Sequence, residues 1–571
     1  MPGYRIEIAD AHAHLFRVTL TLPRPAPQQR LALPAWIPGS YMIRDFARHL
    51  VGLEARQGGR EVVLEQLDKT SWLAPCDGSA ALVVSATVYA NDPSVRGAFL
   101  DAERGFFNGT SLLLRAEGRE HEPHTIELGA LPAGWSVATA MPEAGRRRWR
   151  AADYDEAIDH PFALGRFWRG RFEAAGAEHE IVVDGAWPNF DGERLLADVQ
   201  KICRTQIRFW HGARGKPPFA RYLFLLHASD DGYGGLEHRA STALIAARRD
   251  LPRRGAGEVG EAYAGLLGLF SHEYFHTWNV KRLRPRALVG ADLGREAPTA
   301  LLWFFEGFTS YYDDLMLLRA GLIAREHYLK LVGKQLAGVL ATPGRRVQSV
   351  AQAAADAWTR YYRADENTPN ATVSYYAKGA LVALLVDLRR RAAGSSLDDA
   401  MRRLWKHHAD TPVDEAELFA ALADGVPGLA EELAAWVHGT GELPLADALR
   451  AFGVVLLDGP ATLAQRIGLR LVETAGSATV RQVLRGSAAE AAGLAPGDEL
   501  LAAEGWRLRR LEDARQWLDG DAPFELLVVR DQRLRTLHVV PGATASPATS
   551  FVDDPAATDA ARSARKGWLG G

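Results

Sequence analysis

Alternation of apolar and polar residues dominates the first third of the 571-residue chain. Residues 5–22, RIEIADAHAHLFRVTLTL, follow the period of two that marks half-buried strands. The runs EVVLEQL, ALVVSATVYA and SLLLRAE repeat the pattern, with Gly-, Asp- and Pro-bearing turns between them. Several short strands at this spacing predict a β-sandwich over residues 1–172. RYLFLLHA (221–228) is a further strand-like run, and the loop DDGYGG follows it. From about Glu261 the period lengthens. EAYAGLLGLFSHEYFHTW carries apolar residues at the three-to-four spacing of a helix. APTALLWFFEGFTSYYDDLMLLRAG predicts a helix from near Pro298 to Gly321. YYAKGALVALLVDLRRRAAG predicts another, with arginines in its last turn. AELFAALADG and LAEELAAWVHG continue the helical pattern, so residues 173–461 read as a mostly helical region. From about Ile467 short strands return around one small helix, and FELLVVRDQRLRTLHVV reads as a closing hairpin. This predicts a separate domain at 462–542. Residues 543–571 are small, polar and Pro-containing, and read as a flexible tail.

Composition narrows the function classes. Hydrophobic residues make up 47% and charged residues 24%, as in ordinary globular chains. The net charge of −3 argues against a general nucleic-acid binder. No apolar run approaches the ~20 residues of a membrane helix, so no membrane partner is expected. Cys76 and Cys203 are too few for a disulfide framework and form no Cys-x-x-Cys pair. The N-terminus lacks a charged segment followed by an apolar one, so a cytoplasmic location is the default expectation.

The sharpest chemical signal is His272-Glu273-Tyr274-Phe275-His276, an H-E-x-x-H within a helical stretch. Residues four apart share a helix face, so both imidazoles reach one ion, and neutral imidazole suits Zn²⁺. Glu273 then stands beside the activated water as its base. A catalytic zinc needs a third protein ligand. Glu296, 20 residues after His276, lies in a loop just before a helix start, where a helix N-terminus accounts for an acid. Glu306, 30 residues after His276, sits in the apolar stretch TALLWFFEGFTSYYDDL, where burial without a counter-charge is costly. Glu306 is the favoured ligand. Ser310, Asp313 and Asp314 follow within two turns and offer a hydrogen-bond partner for a ligating histidine, or simply a solvated face. A second metal-like pair, His12-Ala13-His14, is flanked by strand alternation with no repeated β/α pattern after it, and reads as the polar face of a strand.

HEYFHTWNVKRLRP, followed downstream by WFFEGFTSYY, resembles the glycyl aminopeptidase family of zinc peptidases, relatives of the thermolysin-like group. The resemblance covers most of the chain. WIPGSYMIRDF (36–46) is similar to the signature of that family's N-terminal β domain, and WVHGTGELP (436–444) to the close of its catalytic region. It implies a multidomain α+β protein: an N-terminal β-sandwich, a thermolysin-like catalytic region and a C-terminal PDZ-like domain. It also gives meaning to two further motifs. Gly234-Gly235-Leu236-Glu237-His238 is similar to the Gly-x-Met-Glu-Asn loop of related aminopeptidases. The resemblance implies that this edge pairs with substrate backbone and that Glu237 binds the free α-amine. Ser374-Tyr375-Tyr376-Ala377-Lys378-Gly379 is similar to the Tyr-x-Lys-Gly of the same relatives. Tyr376 then stabilises the oxyanion, with Tyr375 as the alternative. GSAAEAAGLAPGDELLAAEG resembles a PDZ domain of bacterial proteases, and IGLR (467–470) matches its carboxylate-binding loop.

The expected function is removal of an N-terminal Gly or Ala from peptides with a free N-terminus. His272, His276 and Glu306 would hold one Zn²⁺ per chain, and a peptide C-terminus would be the partner of the PDZ-like domain. Two alternatives stand beside it: a metalloendopeptidase with the same zinc site and an open cleft, and a non-catalytic scaffold working through the PDZ-like domain.

Overall fold

The computed structural model describes residues 1–78, 80–409, 411–542 and 548–570. The chain forms two compact units. The first comprises Met1–Ala297 with Ala320–Leu322 and Leu404–Val413; the second comprises Pro298–Arg319, Ile323–Arg403 and Asp414–Gly571.

The first unit opens with the strand Gly3–Asp10 and its antiparallel partner Leu15–Leu22. Tyr4, Ile6, Phe16, Val18, Leu20 and Leu22 point inward and are buried. Arg5 and Arg17 point outward, as the period of two requires. This hairpin forms the middle of an eight-stranded sheet, and two four-stranded sheets complete the N-terminal region. His12 and His14 are not on a strand face. They lie in the hairpin turn, where His14 takes a positive φ of 60° and its Nδ1 meets Leu100 O at 2.5 Å. The alternation continues on both sides of a turn too short to interrupt it.

A five-stranded sheet follows, in the order Trp168–Ala174, Ala177–Asp184, Arg221–Ser229, Ser241–Ala247, Tyr233–Glu237. Its middle strands are parallel and covered on both faces, which explains the unbroken apolar run YLFLL. Tyr233–Glu237 is the edge strand and runs antiparallel to Ser241–Ala247. Gly234 and Gly235, read from sequence as loop, therefore lie in a strand. Val182, Leu223, Leu225, Leu236 and Ala243 join the N-terminal core, so the edge strand is anchored through Leu236. Helices Gly192–His211 and Glu261–Phe275 pack with this sheet.

The second unit is helical, with the PDZ-like domain appended. The helix expected from Pro298 begins at Leu302 and runs as Leu302–Phe305 and Gly307–Arg319. The helix Tyr375–Ala392 crosses it, and Ser374 caps its first turn by accepting from the Ala377 N–H. The PDZ-like domain is an antiparallel sheet in the order Leu469–Glu473, Ala478–Val483, Glu499–Ala503, Phe524–Arg530, Arg533–Val539. No described helix is long and apolar enough to cross a membrane.

The stretch read as a flexible tail is folded over its described residues. Ala548–Asp553 pairs antiparallel with Val454–Gly459, and Asp559–Leu569 is a helix. Its small, polar composition hides three anchors, Phe551 on the strand and the adjacent Trp568 and Leu569 on the helix, all buried. Trp568 Nε1–H donates to Tyr311 Oη at 3.0 Å, and that hydroxyl donates to Asp387 Oδ2 at 2.7 Å. Arg391 Nη1 donates to Gly567 O at 2.7 Å, and Arg325 pairs with Asp553 at 2.7 Å. Truncation of a fully buried tryptophan costs about 3–5 kcal/mol. Trp568→Ala is therefore expected to lower the urea midpoint of the second unit by that equivalent; an unchanged melt would mean the terminal helix contributes no packing.

Candidate active site

In the first unit the H-E-x-x-H lies at the end of the helix Glu261–Phe275. His276 is the residue that closes the helix and keeps helical dihedrals (φ −60°, ψ −18°), so the four-residue spacing still puts both imidazoles on one face. The rings of His272 and His276 lie 4.7 Å apart, nearly perpendicular. His276 Nδ1 meets Asn279 O at 2.9 Å. A proton on Nδ1 donating to this carbonyl leaves Nε2 as a metal donor. His272 is half-buried, while Glu273 and His276 are buried.

The residues after the motif hold it in place. Trp278 is fully buried and donates from Nε1 to His211 Nε2 at 2.7 Å. Val280 has φ 107°, a conformation β-branched residues rarely adopt. Its N–H donates to Leu283 O, and the Leu283 N–H donates to Trp278 O, fixing a tight loop. Arg282 Nη1 donates to Thr277 O at 2.8 Å and to Arg239 O at 3.0 Å. Lys281 Nζ donates to Asp159 Oδ1 at 2.6 Å. Asp159 also meets His238 Nδ1 at 3.2 Å and accepts from the Arg239 N–H at 2.9 Å. Burial works to raise the Asp159 pKa, but Lys281, His238 and Arg239 hold it well below the usual carboxylate range. Asp159 thus joins the end of the edge strand to the loop behind His276, a role no local sequence pattern reveals.

The edge strand presents Glu237 to the same place. Leu236 points into the core, so Gly235 and Glu237 point the other way. A Cβ on Gly235 would collide with the Glu273 carboxylate, so only glycine lets the strand come this close. Glu237, Glu273 and His276 bring donor atoms within 4.8 Å of one another. From the N-terminal region, the loop Trp36–Ser40 presses on Glu237. Gly39 has φ +96°, and a Cβ there would lie 2.6 Å from both Glu237 carboxylate oxygens. Trp36 Nε1–H is held by Asp292 O and Arg295 O. Trp36, Ile37, Gly39, Glu237, Lys281 and Leu293 line a cavity beside the carboxylate. The sequence flagged Gly39 only as part of a family signature; its close approach explains why glycine stands there.

The second unit carries Glu306 and Tyr376. Glu306 is 2% exposed, whereas Glu296 is exposed in a loop. The backbones of the two helices touch at Gly307 and Gly379, where a Cβ on Gly307 would lie 2.5 Å from Gly379 Cα. This close crossing brings Tyr376 under the field of Glu306. Burial chiefly, then Glu306 and the phenols of Tyr362, Tyr375 and Tyr361, push the Tyr376 pKa well above the usual range. Tyr376 stays a neutral phenol, with its hydroxyl 3.1 Å from that of Tyr362. Tyr375 is fully buried and Tyr376 half-buried. Ser310 is tied to Glu306 by its backbone N–H, and Asp313 and Asp314 follow on the same helix.

The motif of the PDZ-like domain is engaged within the second unit. The Gly468 N–H donates to Ala464 O and Gln465 O and so closes the helix Leu463–Ile467. The Asn370 side chain donates to Val483 O and accepts from the Arg485 N–H, docking the domain on the helical region.

His179 supports the motif helix from behind. Its Nε2 meets the Tyr274 hydroxyl at 2.8 Å and its Nδ1 meets Ala177 O at 3.0 Å. Burial, opposed by the Ala177 carbonyl, pushes its pKa down to about 4. The folded state therefore holds a neutral imidazole that the unfolded chain protonates near pH 6.5. This contribution is fully present above pH 6.5 and is lost as pH falls toward 4, on the order of 3 kcal/mol. Urea melts of the wild type are expected to weaken across that window, with a smaller slope in His179→Gln; equal slopes would contradict a buried neutral histidine.

Family profiles match the chain over three stretches. One described as Peptidase M61 N-terminal domain covers residues 3–166, one described as M61 glycyl aminopeptidase covers 265–382, and a PDZ domain profile covers 479–530. No curated protein matches the chain. Among solved structures, an aminopeptidase N family protein from Idiomarina loihiensis is 35% identical, with 100% of each chain covered and a TM-score of 0.93. An M1 zinc metallopeptidase from Deinococcus radiodurans is 14% identical, covering 78% of this chain and 94% of its own, with a TM-score of 0.46. Yeast LTA4 hydrolase in complex with bestatin is 12% identical, covering 78% and 68%, with a TM-score of 0.46. With its N-terminal, catalytic and PDZ profiles in order and a full-length relative of the same architecture, the chain belongs to the M61 glycyl aminopeptidase family and is a peptidase.

Proposed function

We propose that this chain is a zinc-dependent aminopeptidase that removes N-terminal Gly or Ala from peptides. The observation that carries the reading is the position of Glu237, buried on the edge strand beside Glu273 and His276. A carboxylate there binds the substrate's α-ammonium and sets the scissile bond one residue in from the N-terminus.

His272, His276 and Glu306 would hold one Zn²⁺ per chain. The donor set fits: two imidazoles on one helix face, the His276 tautomer fixed by Asn279 O, and a buried carboxylate. When bound, the ion supplies a Lewis acid that polarises the scissile carbonyl and acidifies a water. Glu273 takes the proton of the attacking water on its carboxylate and passes it to the leaving amine nitrogen. Tyr376 donates from its hydroxyl to the oxyanion, a role its raised pKa suits. Gly234 and Gly235 carry no side chains, so substrate backbone can approach the strand edge beside Arg96. The PDZ-like domain is docked on the helical region through Asn370.

The test is hydrolysis of aminoacyl-p-nitroanilides by the protein as isolated, after chelation, and after zinc is returned. Release from Gly and Ala substrates is expected to stop with chelator and return with zinc. Glu273→Gln is expected to lose about 10²–10⁴-fold in kcat, the usual contribution of a positioned proton-transfer group, while keeping its zinc. Release that persists without metal, or a fully active Glu273→Gln, would overturn the reading.

A further inference from the structure

The open edge of the strand Tyr233–Glu237 is partly occupied by an arginine that the reaction described above does not use. The His238 N–H donates to Ser241 O, and Thr242 Oγ1 donates to Leu236 O. Even-numbered residues of the strand therefore turn their backbone groups toward Ser241–Ala247. Gly235 and Glu237 turn theirs to the open edge. Arg96 Nη2 donates to Gly235 O at 3.1 Å, on that edge. A Cβ on Gly234 would lie 3.6 Å from Arg96 Nη1, so the guanidinium runs alongside the strand toward its N-terminal end. Arg96 Nε is buried and has no hydrogen-bond partner among the described residues. Consecutive turns anchor the arginine: the Ser94 N–H donates to Asp92 Oδ1, and the Arg96 N–H donates to Ser94 Oγ.

Three charged groups thus meet this strand: Glu237 and Glu273 on the face away from Leu236, and Arg96 at its open edge. Glu237 stands at the end where the α-ammonium binds. Glu273 stands against Gly235, where the bond is cut. Arg96 reaches Gly235 O and lies beside Gly234, one residue farther from Glu237 than the position that Glu273 faces. Two strand residues span about 7 Å, comparable to the reach of an extended dipeptide from ammonium to carboxylate. A guanidinium is the side chain best shaped to take a planar carboxylate with two parallel hydrogen bonds. We infer that Arg96 is a specificity-determining residue that binds the α-carboxylate of the second residue, the one C-terminal to the cut, so that the preferred substrates are dipeptides with both termini free. This rests on the aminopeptidase reading, since it takes its direction from Glu237.

The experiment compares kcat/KM for Ala-Ala, with a free carboxylate, and Ala-Ala-amide, in the wild-type holoenzyme, Arg96→Ala and Arg96→Lys. The wild type is expected to favour the free carboxylate by about 10-fold or more, the scale of a charge-assisted hydrogen bond. Arg96→Ala is expected to bring the ratio to about one, through KM more than kcat, and Arg96→Lys to restore part of it. A wild-type ratio near one overturns the inference. So does a ratio that survives in Arg96→Ala, because a residue that merely supports Gly235 lowers both substrates together. Chelator-sensitive cleavage of the amide by the wild type shows whether the aminopeptidase reading stands independently; cleavage of neither substrate overturns both.

Discussion

Two carboxylates, Glu237 and Glu273, are buried together beside His276, with donor atoms within 4.8 Å. Like charges this close, out of water, are expensive to keep ionised unless positive charge joins them. Most of the surrounding architecture of the first unit keeps this arrangement in place. Leu236 in the core sets which strand residues face the helix. Gly235 gives the Glu273 carboxylate its space, and Gly39 does the same for Glu237. Asp159, ionised and half-buried, binds Lys281, His238 and the Arg239 N–H, and so fixes the strand end to the loop behind His276. A site built this way is prepared for cations: in the proposed reaction a metal ion and a substrate ammonium.

The second unit solves a related problem by backbone contact. Glu306 and the Tyr376 phenol come together because two helices cross at a pair of glycines, Gly307 and Gly379. Larger residues at that crossing would separate the carboxylate from the phenol. The C-terminal segment reinforces the same helices, through Trp568 on Tyr311 and Arg391 on Gly567. The PDZ-like domain is held by Asn370 through Val483 O and the Arg485 N–H.

Much of this organisation was legible in the sequence, for identifiable reasons. The sheet-rich N-terminal region, the helical stretches and a separate C-terminal domain follow from changes in hydrophobic period, and the resemblance of GSAAEAAGLAPGDELLAAEG identified that domain as PDZ-like. The helix carrying His272 and Glu273 was legible because residues four apart must share a face. Glu306 stood out as an acid in an apolar stretch, and it is buried, while Glu296 in its loop is exposed. Other features depend on contacts between distant parts of the chain. Asp159 meets Lys281 across 122 positions, and Arg96 meets Gly235 across 139. His12 and His14 imitate a strand face because a four-residue turn preserves the alternation around it. The terminal segment imitates a disordered tail because its few large residues sit one on the strand and two on the helix, which bulk composition does not register.

The central claim is that Glu237 makes this an enzyme for free N-termini. The direct measurement is kcat/KM for one alanyl peptide with its amine free or acetylated, in the wild type and in Glu237→Gln, each with zinc bound. The account predicts cleavage of the free amine alone by the wild type. In the variant, that activity should fall about 10–100-fold, the worth of a charged hydrogen bond, and the discrimination should narrow. Equal cleavage of both peptides by the wild type, or discrimination untouched by the substitution, would contradict it.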